Sequence, residues 1–176
     1  MNTDRALMTR IARGDEAAFT DMVERYGPKL LAVARRLLGS RADAEDAVQR
    51  ALLQCYLGAG GYEARWAVST WLYRILTNAC VDELRRRAAR PVGEAAAGPL
   101  GLDGVGGDDT ASDLAVRRAL ERVPREARVL LALRYVDGLS YGEMARIRGI
   151  SVNTVKSQLA RGKAILRELL EEGGTT

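Results

Sequence analysis

Residues 91–112, PVGEAAAGPLGLDGVGGDDTAS, contain six glycines, two prolines and no basic residue, and this stretch restricts the fold more than any other. Its apolar positions recur neither at two nor at three and four, so it can line neither a strand nor a helix. It is expected to be a flexible acidic linker. The stretch divides the 176-residue chain into a longer N-terminal and a shorter C-terminal part, each large enough for one small domain. Charge follows the same division: 15 basic and 11 acidic side chains in residues 1–90, none and 4 in 91–112, 12 and 8 in 113–176. Two weakly basic units around an acidic connector fit a polyanionic partner without demanding one.

Both parts read as helical, and no strand pattern occurs. From Asp15 to Leu38 the apolar residues Phe19, Met22, Val23, Tyr26, Leu30, Val33, Ala34 and Leu37 recur at three and four, the stripe of an amphipathic helix that Pro28 is expected to kink or split near Gly27. A second helix is expected over 41–57, with Gly39 ending the one before it. Residues 58–68 read as a loop, and Ser69 as the N-cap of a third helix over 70–87. Beyond the linker the pattern predicts helices over 113–123 and 124–136. A capping box at Ser140 and Glu143 then opens a short helix to Arg148, Gly149 makes a turn, and Ser151 caps a last helix to about residue 171.

The residue inventory excludes several chemistries. With no histidine in the chain, Ser/His and Cys/His nucleophilic catalysis are impossible. Cys55 and Cys80 fall on apolar helix faces and read as buried reduced thiols, too few for a common structural zinc site. Asp43, Glu45 and Asp46 lack a second acidic cluster, so no catalytic residue, cofactor or metal is expected. No apolar run is long enough for a bilayer and the N-terminus lacks the apolar core of a secretory signal, which leaves a cytoplasmic protein as the expectation.

Two segments carry binding chemistry. LSYGEMARIRGISVNTVKSQLARGKAILREL has helix-turn-helix spacing: Ala145 at the helix crossing, Gly149 in the turn, Ile150 and Val155 packing the pair, and Arg148 where an apolar residue usually sits. The outward residues of its second helix, Asn153, Thr154, Lys156, Ser157, Gln158, Arg161 and Lys163, are types that hydrogen-bond base edges and phosphates. In STWLYRILTNACVDELRRRAAR the residues Tyr73, Arg74, Thr77, Asn78, Val81 and Arg85 flank the core stripe. Aromatic and amide groups beside arginines suit an unstacked single strand, each stacked base contributing about 1–3 kcal/mol.

DAEDAVQ, WLYRILTNACVDELRRR and LSYGEMARIRGISVNTVKSQLARGKAIL, in that order across a variable linker, together resemble a bacterial RNA polymerase sigma factor of the sigma-70 family, extracytoplasmic-function type. The resemblance implies an all-α fold of two small helical domains: a region 2 helical bundle over 5–90 for polymerase binding, minus-ten recognition and melting, and a region 4 helix-turn-helix domain over 113–172 for the minus-thirty-five element, joined by the linker at 91–112. It implies that Asp43, Glu45, Asp46, Gln49 and Arg50 dock on the clamp helices of the polymerase largest subunit. Trp66, Trp71, Tyr73, Arg74, Thr77, Asn78, Arg85 and Arg86 would engage the minus-ten element, while Lys156, Ser157, Gln158 and Arg161, with Asn153, Thr154 and Lys163, would read the minus-thirty-five element. The implied partners are the polymerase core, through clamp helices and flap, promoter DNA, and an anti-sigma protein, without membrane insertion. Many relatives have arginine at the position of Gln158.

Physical limits agree with this division of labour. Opening DNA costs on the order of 1.4 kcal/mol per base-pair step, more than two or three captured bases return, so a protein of this size should not melt a promoter alone. A linker of 22 residues relaxes to roughly 26 Å and reaches about 75 Å at most, barely enough for elements two helical turns apart unless something larger holds the domains. The alternative reading is a stand-alone helix-turn-helix regulator that binds duplex DNA tightly without polymerase.

Overall fold

The computed structural model describes residues 3–89 and 111–173, all helices and connecting turns, and among these residues there is no strand. The linker expectation falls almost wholly outside the described residues. Among the described residues eight α-helices follow in order: α1 Thr3–Ala12, α2 Glu16–Leu38, α3 Arg41–Gly58, α4 Val68–Ala89, α5 Ala111–Arg122, α6 Arg125–Val136, α7 Tyr141–Arg148 and α8 Val152–Gly173, with a 3-10 turn at Ala59–Gly61.

The N-terminal bundle packs α2, α3 and α4 around Met22, Leu30, Val33, Leu38, Ala47, Leu72, Leu76 and Cys80, all buried. Asp15 caps α2 by accepting the Ala18 N–H at 3.0 Å, and Gly39 closes it at φ 72° with its N–H on the Arg35 carbonyl. Pro28 does not split this helix: α2 runs unbroken through it. The residue before a proline normally clashes through its Cβ, and here that residue is Gly27, which has none; buried Met22 and Leu30 on either side fix both halves to one core. α4 begins at Val68, so Ser69 lies inside the helix instead of capping it.

α1 belongs to the same bundle and was not expected. It buries Leu7, Met8 and Ile11, and Asp4 pairs with Arg25 and accepts the Tyr26 hydroxyl at 2.7 Å.

The C-terminal unit packs α5 and α6 on α8, with Val129, Leu130, Leu133, Met144, Ile147, Val155 and Leu159 at its centre. Arg128 is buried because its guanidinium serves the end of α5, donating to the carbonyls of Glu121 at 2.6 Å and Val123 at 3.1 Å, groups that a helix C-terminus leaves without internal partners. The capping box at Ser140 and Glu143 forms as expected, Gly149 turns the chain at φ 66°, and the Ser151 hydroxyl caps α8 through the Thr154 N–H at 3.0 Å.

The two units touch. α4 lies against α7 and α6, and α2 against α6, so the chain closes on itself.

Candidate nucleic-acid and protein interfaces

The recognition helix α8 presents two faces. Val155, Leu159 and Gly162 are buried against the rest of the unit, while Asn153, Lys156, Ser157, Arg161 and Lys163 are exposed and Thr154 half-exposed. A Cβ on Gly162 would stand 3.1 Å from Leu131 Cδ1 and 3.2 Å from Ala127 Cβ, so the absent side chain lets α8 seat closely on α6. Lys163 reaches over the Tyr135 ring at 5.6 Å. Ser157 donates its hydroxyl proton to the Thr154 carbonyl at 3.0 Å and keeps its oxygen as an acceptor. Gln158 departs from the outward set: its Oε1 is buried and has no protein partner among the described residues.

The capping box that positions α7 also shifts a titration. The Ser140 hydroxyl and backbone N–H both bond the Glu143 carboxylate, at 2.7 and 2.8 Å, and hold it below the usual carboxylate range.

On α3, Ala44, Ala47, Val48, Ala51 and Cys55 face inward. Asp46 and Gln49 are exposed, while Asp43, Glu45 and Arg50 are half-exposed. Several of these groups already have partners. Glu45 bonds Arg41 at 2.7 Å, Asp46 bonds Arg50 at 3.0 Å, and Asp43 pairs with Arg87 of α4. Arg87 also donates to the Leu38 carbonyl at 2.9 Å. The carboxylate of Glu83, 8 % exposed, collects Arg50 at 3.4 Å, Arg87 at 3.6 Å and Arg86. Leu53 and Leu57, four apart on the outer side of the same helix, are 57 % and 75 % exposed. The sequence signal for them was present, since neither falls on the inward stripe.

The α4 set is divided by burial. Arg74, Asn78, Arg85 and Arg86 are exposed, Arg85 with Asp82 at 3.4 Å and Arg86 with Glu83. Trp71 is half-buried with its ring 5.4 Å from that of Tyr62, and Trp66 is half-buried under the Arg65 guanidinium. Tyr73 and Thr77 are buried, at 2 % and 0 % exposure. Both lie on the buried stripe of α4 with Leu72, Leu76, Cys80 and Val81, and both are bonded to the C-terminal unit: Tyr73 donates its hydroxyl to Asp137 Oδ2 at 2.7 Å, and Thr77 Oγ1 accepts from Arg148 at 3.1 Å.

Among the described residues no group of His, Cys, Asp and Glu is placed to hold a metal ion. No helix among them is long and apolar enough to cross a membrane. Cys55 and Cys80 are buried, and burial pushes both thiols up to about 12.

Two helical units, one ending in a helix-turn-helix with a donor-rich outer face, define a class of sequence-specific DNA-binding transcription protein. Comparison narrows the class. Sigma-70 region 2 matches residues 22–90 and Sigma-70, region 4 matches residues 113–166. The chain is 38 % identical over 171 residues to the ECF RNA polymerase sigma factor SigM of Mycobacterium tuberculosis, covering 96 % of this chain and 85 % of that one. It is 32 % identical to the ECF RNA polymerase sigma factor SigW of Bacillus subtilis, covering 93 % and 94 %. Among solved structures, the sigma factor RpoE of Bartonella quintana in complex with the anti-sigma factor NepR superposes with a TM-score of 0.72 at 26 % identity, covering 87 % of this chain and 96 % of that one. CnrH, solved with the cytosolic domain of CnrY, shares the fold with a TM-score of 0.76 at 24 % identity over 97 % of this chain and 99 % of that one. The chain belongs to the extracytoplasmic-function sigma factors of the sigma-70 family. It is a promoter-specificity subunit that binds RNA polymerase core and directs transcription initiation by recognising minus-ten and minus-thirty-five elements.

Proposed function

We propose that the three surfaces divide the work of initiation. Residues 5–90 form the unit that binds polymerase and handles the minus-ten element, and residues 113–172 form the unit that reads the minus-thirty-five element. The outer side of α3, through Asp43, Glu45, Asp46, Gln49 and Arg50, docks on the clamp helices of the polymerase largest subunit, and exposed Leu53 and Leu57 extend that surface with apolar area. A mixed acidic and apolar face is poorly suited to DNA and well suited to protein. α4 and the preceding loop, through Trp66, Trp71, Tyr73, Arg74, Thr77, Asn78, Arg85 and Arg86, take the minus-ten strand.

α8 reads the upstream element in the major groove through Asn153, Thr154, Lys156, Ser157, Arg161 and Lys163, with the C-terminal unit held on the polymerase flap. Gln158 contributes through its amide N–H, since its carbonyl is turned inward. The observation that carries this reading is the division of α8: donors and cations lie on the open face, and Val155, Leu159 and Gly162 on the closed one. The protein works in the cytoplasm with no catalytic group of its own, and an anti-sigma protein holds it inactive; the support is the sigma factor RpoE of Bartonella quintana, which was co-crystallised with the anti-sigma factor NepR. Reconstitution with bacterial core polymerase and mapping of transcript 5′ ends tests the whole: promoter-dependent starts are expected, and no complex with core would sink it.

A further inference from the structure

Tyr135, in the last turn of α6, is 64 % exposed, while its neighbours in that turn are engaged. Arg134 donates to the Leu139 carbonyl at 2.9 Å and lies over the Tyr141 ring at 5.4 Å, and Val136 packs against the core. α6 is buried from Ala127 through Leu133, so the helix is anchored without the Tyr135 ring. A single exposed aromatic is ordinary on a protein surface. What distinguishes this one is the cation beside it.

Lys163 of α8 places Nζ 5.6 Å from the centroid of the Tyr135 ring, and a hydrogen bond to the Tyr135 hydroxyl holds the lysine above its ordinary pKa. A phenol oxygen that accepts from an ammonium keeps its own proton to donate, and the ammonium has further donors left. Among the described residues no carboxylate forms an ion pair with Lys163. The acids of the adjoining turns are committed elsewhere: Asp137 to Tyr73 and Lys29, Glu143 to Ser140. A positive charge and an adjacent neutral donor, both open to solvent, suit an oxyanion.

Placement says which oxyanion. Lys163 follows Lys156 by seven residues, two helical turns, so the two share a flank of α8, and Tyr135 adjoins that flank from α6. The donor-bearing face of α8 therefore continues onto a second helix. Lysine carries its charge on a flexible stem; the phenol ties it to the frame of α6 before DNA arrives, which lowers the ordering cost of binding.

We propose that the Tyr135 hydroxyl and the Lys163 ammonium together grip one backbone phosphate of the upstream promoter element, with Tyr135 both donating its phenolic proton and fixing the lysine. This rests on the assignment of α8 to the minus-thirty-five element. Such a contact carries no sequence information; it sets the register in which the side chains of α8 meet base edges.

The test is anisotropy of a labelled promoter duplex, its sequence mapped by reconstitution, titrated with the holoenzyme at several salt concentrations. Tyr135→Phe keeps the ring and removes the phenolic proton. It is expected to weaken binding about fivefold with the parental salt slope, since a neutral donor releases no counterion. Lys163→Ala should weaken binding and lower the log–log slope by about 0.9, and the double variant should lose less than the product of the two losses. A methylphosphonate scan, which neutralises one phosphate at a time, should find a linkage at which Tyr135→Phe and the parent bind alike. Thermal melts report the fold of each variant. Parental binding by Tyr135→Phe, losses that multiply, or a Tyr135→Phe loss that persists at every neutralised linkage each overturn the grip. A loss that appears in affinity for core polymerase instead assigns the ring to a protein partner and overturns it as well. If Lys156→Ala, Arg161→Ala and Lys163→Ala all bind as the parent does, the assignment of α8 itself fails; if they weaken binding and Tyr135→Phe does not, only the grip fails.

Discussion

Reversing Asp46 to arginine separates docking from folding. The Asp46 side chain is 64 % exposed on the outer side of α3, and among the described residues its ion pair is with Arg50, at 3.0 Å. An exposed i, i+4 pair is worth about 0.2–0.5 kcal/mol, and the like-charge pair replacing it costs a similar amount. Arg50 retains Glu83 at 3.4 Å, so the change stays near 1 kcal/mol, a fall of about 4–8 °C in the melting temperature of a unit this size. At a protein interface the same reversal removes a carboxylate from its partner and sets like charges against each other. A loss of at least about 2 kcal/mol is expected for a central residue, roughly thirtyfold in affinity. Anisotropy of the labelled protein titrated with core polymerase reads the affinity, and a thermal melt reads the fold. Glu24→Arg, an exposed reversal on α2, is the matched control and is expected to bind as the parent does. Parental affinity in Asp46→Arg would refute the docking assignment, and a melting fall well beyond the stated range would refute the claim that the residue is dispensable to the fold.

Gly162→Ala gains about 1 kcal/mol in helix propensity but forces a Cβ to 3.2 Å from that of Ala127, which is fixed to its backbone and cannot rotate away; a net loss of about 1 kcal/mol by denaturant titration is expected, and a more stable variant would contradict the close seating of α8. Replacing Lys156 or Arg161 by alanine should reduce the salt dependence of upstream-duplex binding by the holoenzyme by about 0.9 in log–log slope for each phosphate no longer neutralised, and an unchanged slope removes that residue from the DNA face. Cys55 and Cys80, with thiols pushed up to about 12, should resist iodoacetamide at pH 8 in the folded protein and react on addition of urea, as mass spectrometry will show. Glu143 and Asp15 are both held below their unbonded values, Glu143 first by the Ser140 hydroxyl and Asp15 first by the Ala18 N–H. Their folded-state pKa values are depressed, so the stability they contribute is present above about pH 4.5 and is lost as pH falls through the folded values. Denaturant titrations from pH 6 to 3 should show that loss reduced in Glu143→Gln.

The helix-turn-helix was legible because its signals are local. Ser140, Glu143, Gly149 and Ser151 each fix a cap or turn within a few residues, and the structure has all of them. Pro28 does not split α2, because proline's cost depends on its neighbour and Gly27 reduces it. α1 was readable in Leu7, Met8 and Ile11, but ten residues carry a short stripe. The joint between the units was not legible: Tyr73 and Asp137 are 64 positions apart in sequence, and no periodicity marks a polar residue that meets another across a fold. The division of the α4 set into exposed and buried residues follows the stripe of that helix, on which Tyr73, Thr77 and Val81 lie beside Leu72, Leu76 and Cys80.

Glu83 has a consequence for genetics. Because one carboxylate holds Arg50 of α3 together with Arg86 and Arg87 of α4, the helix assigned to protein and the helix assigned to DNA share an anchor. Alleles selected for lost promoter activity at Arg50, Glu83, Arg86 or Arg87 should therefore form one phenotypic patch across both helices, with second-site suppressors crossing from one to the other. Mapping by loss of transcription alone would draw a single surface where the molecule has two.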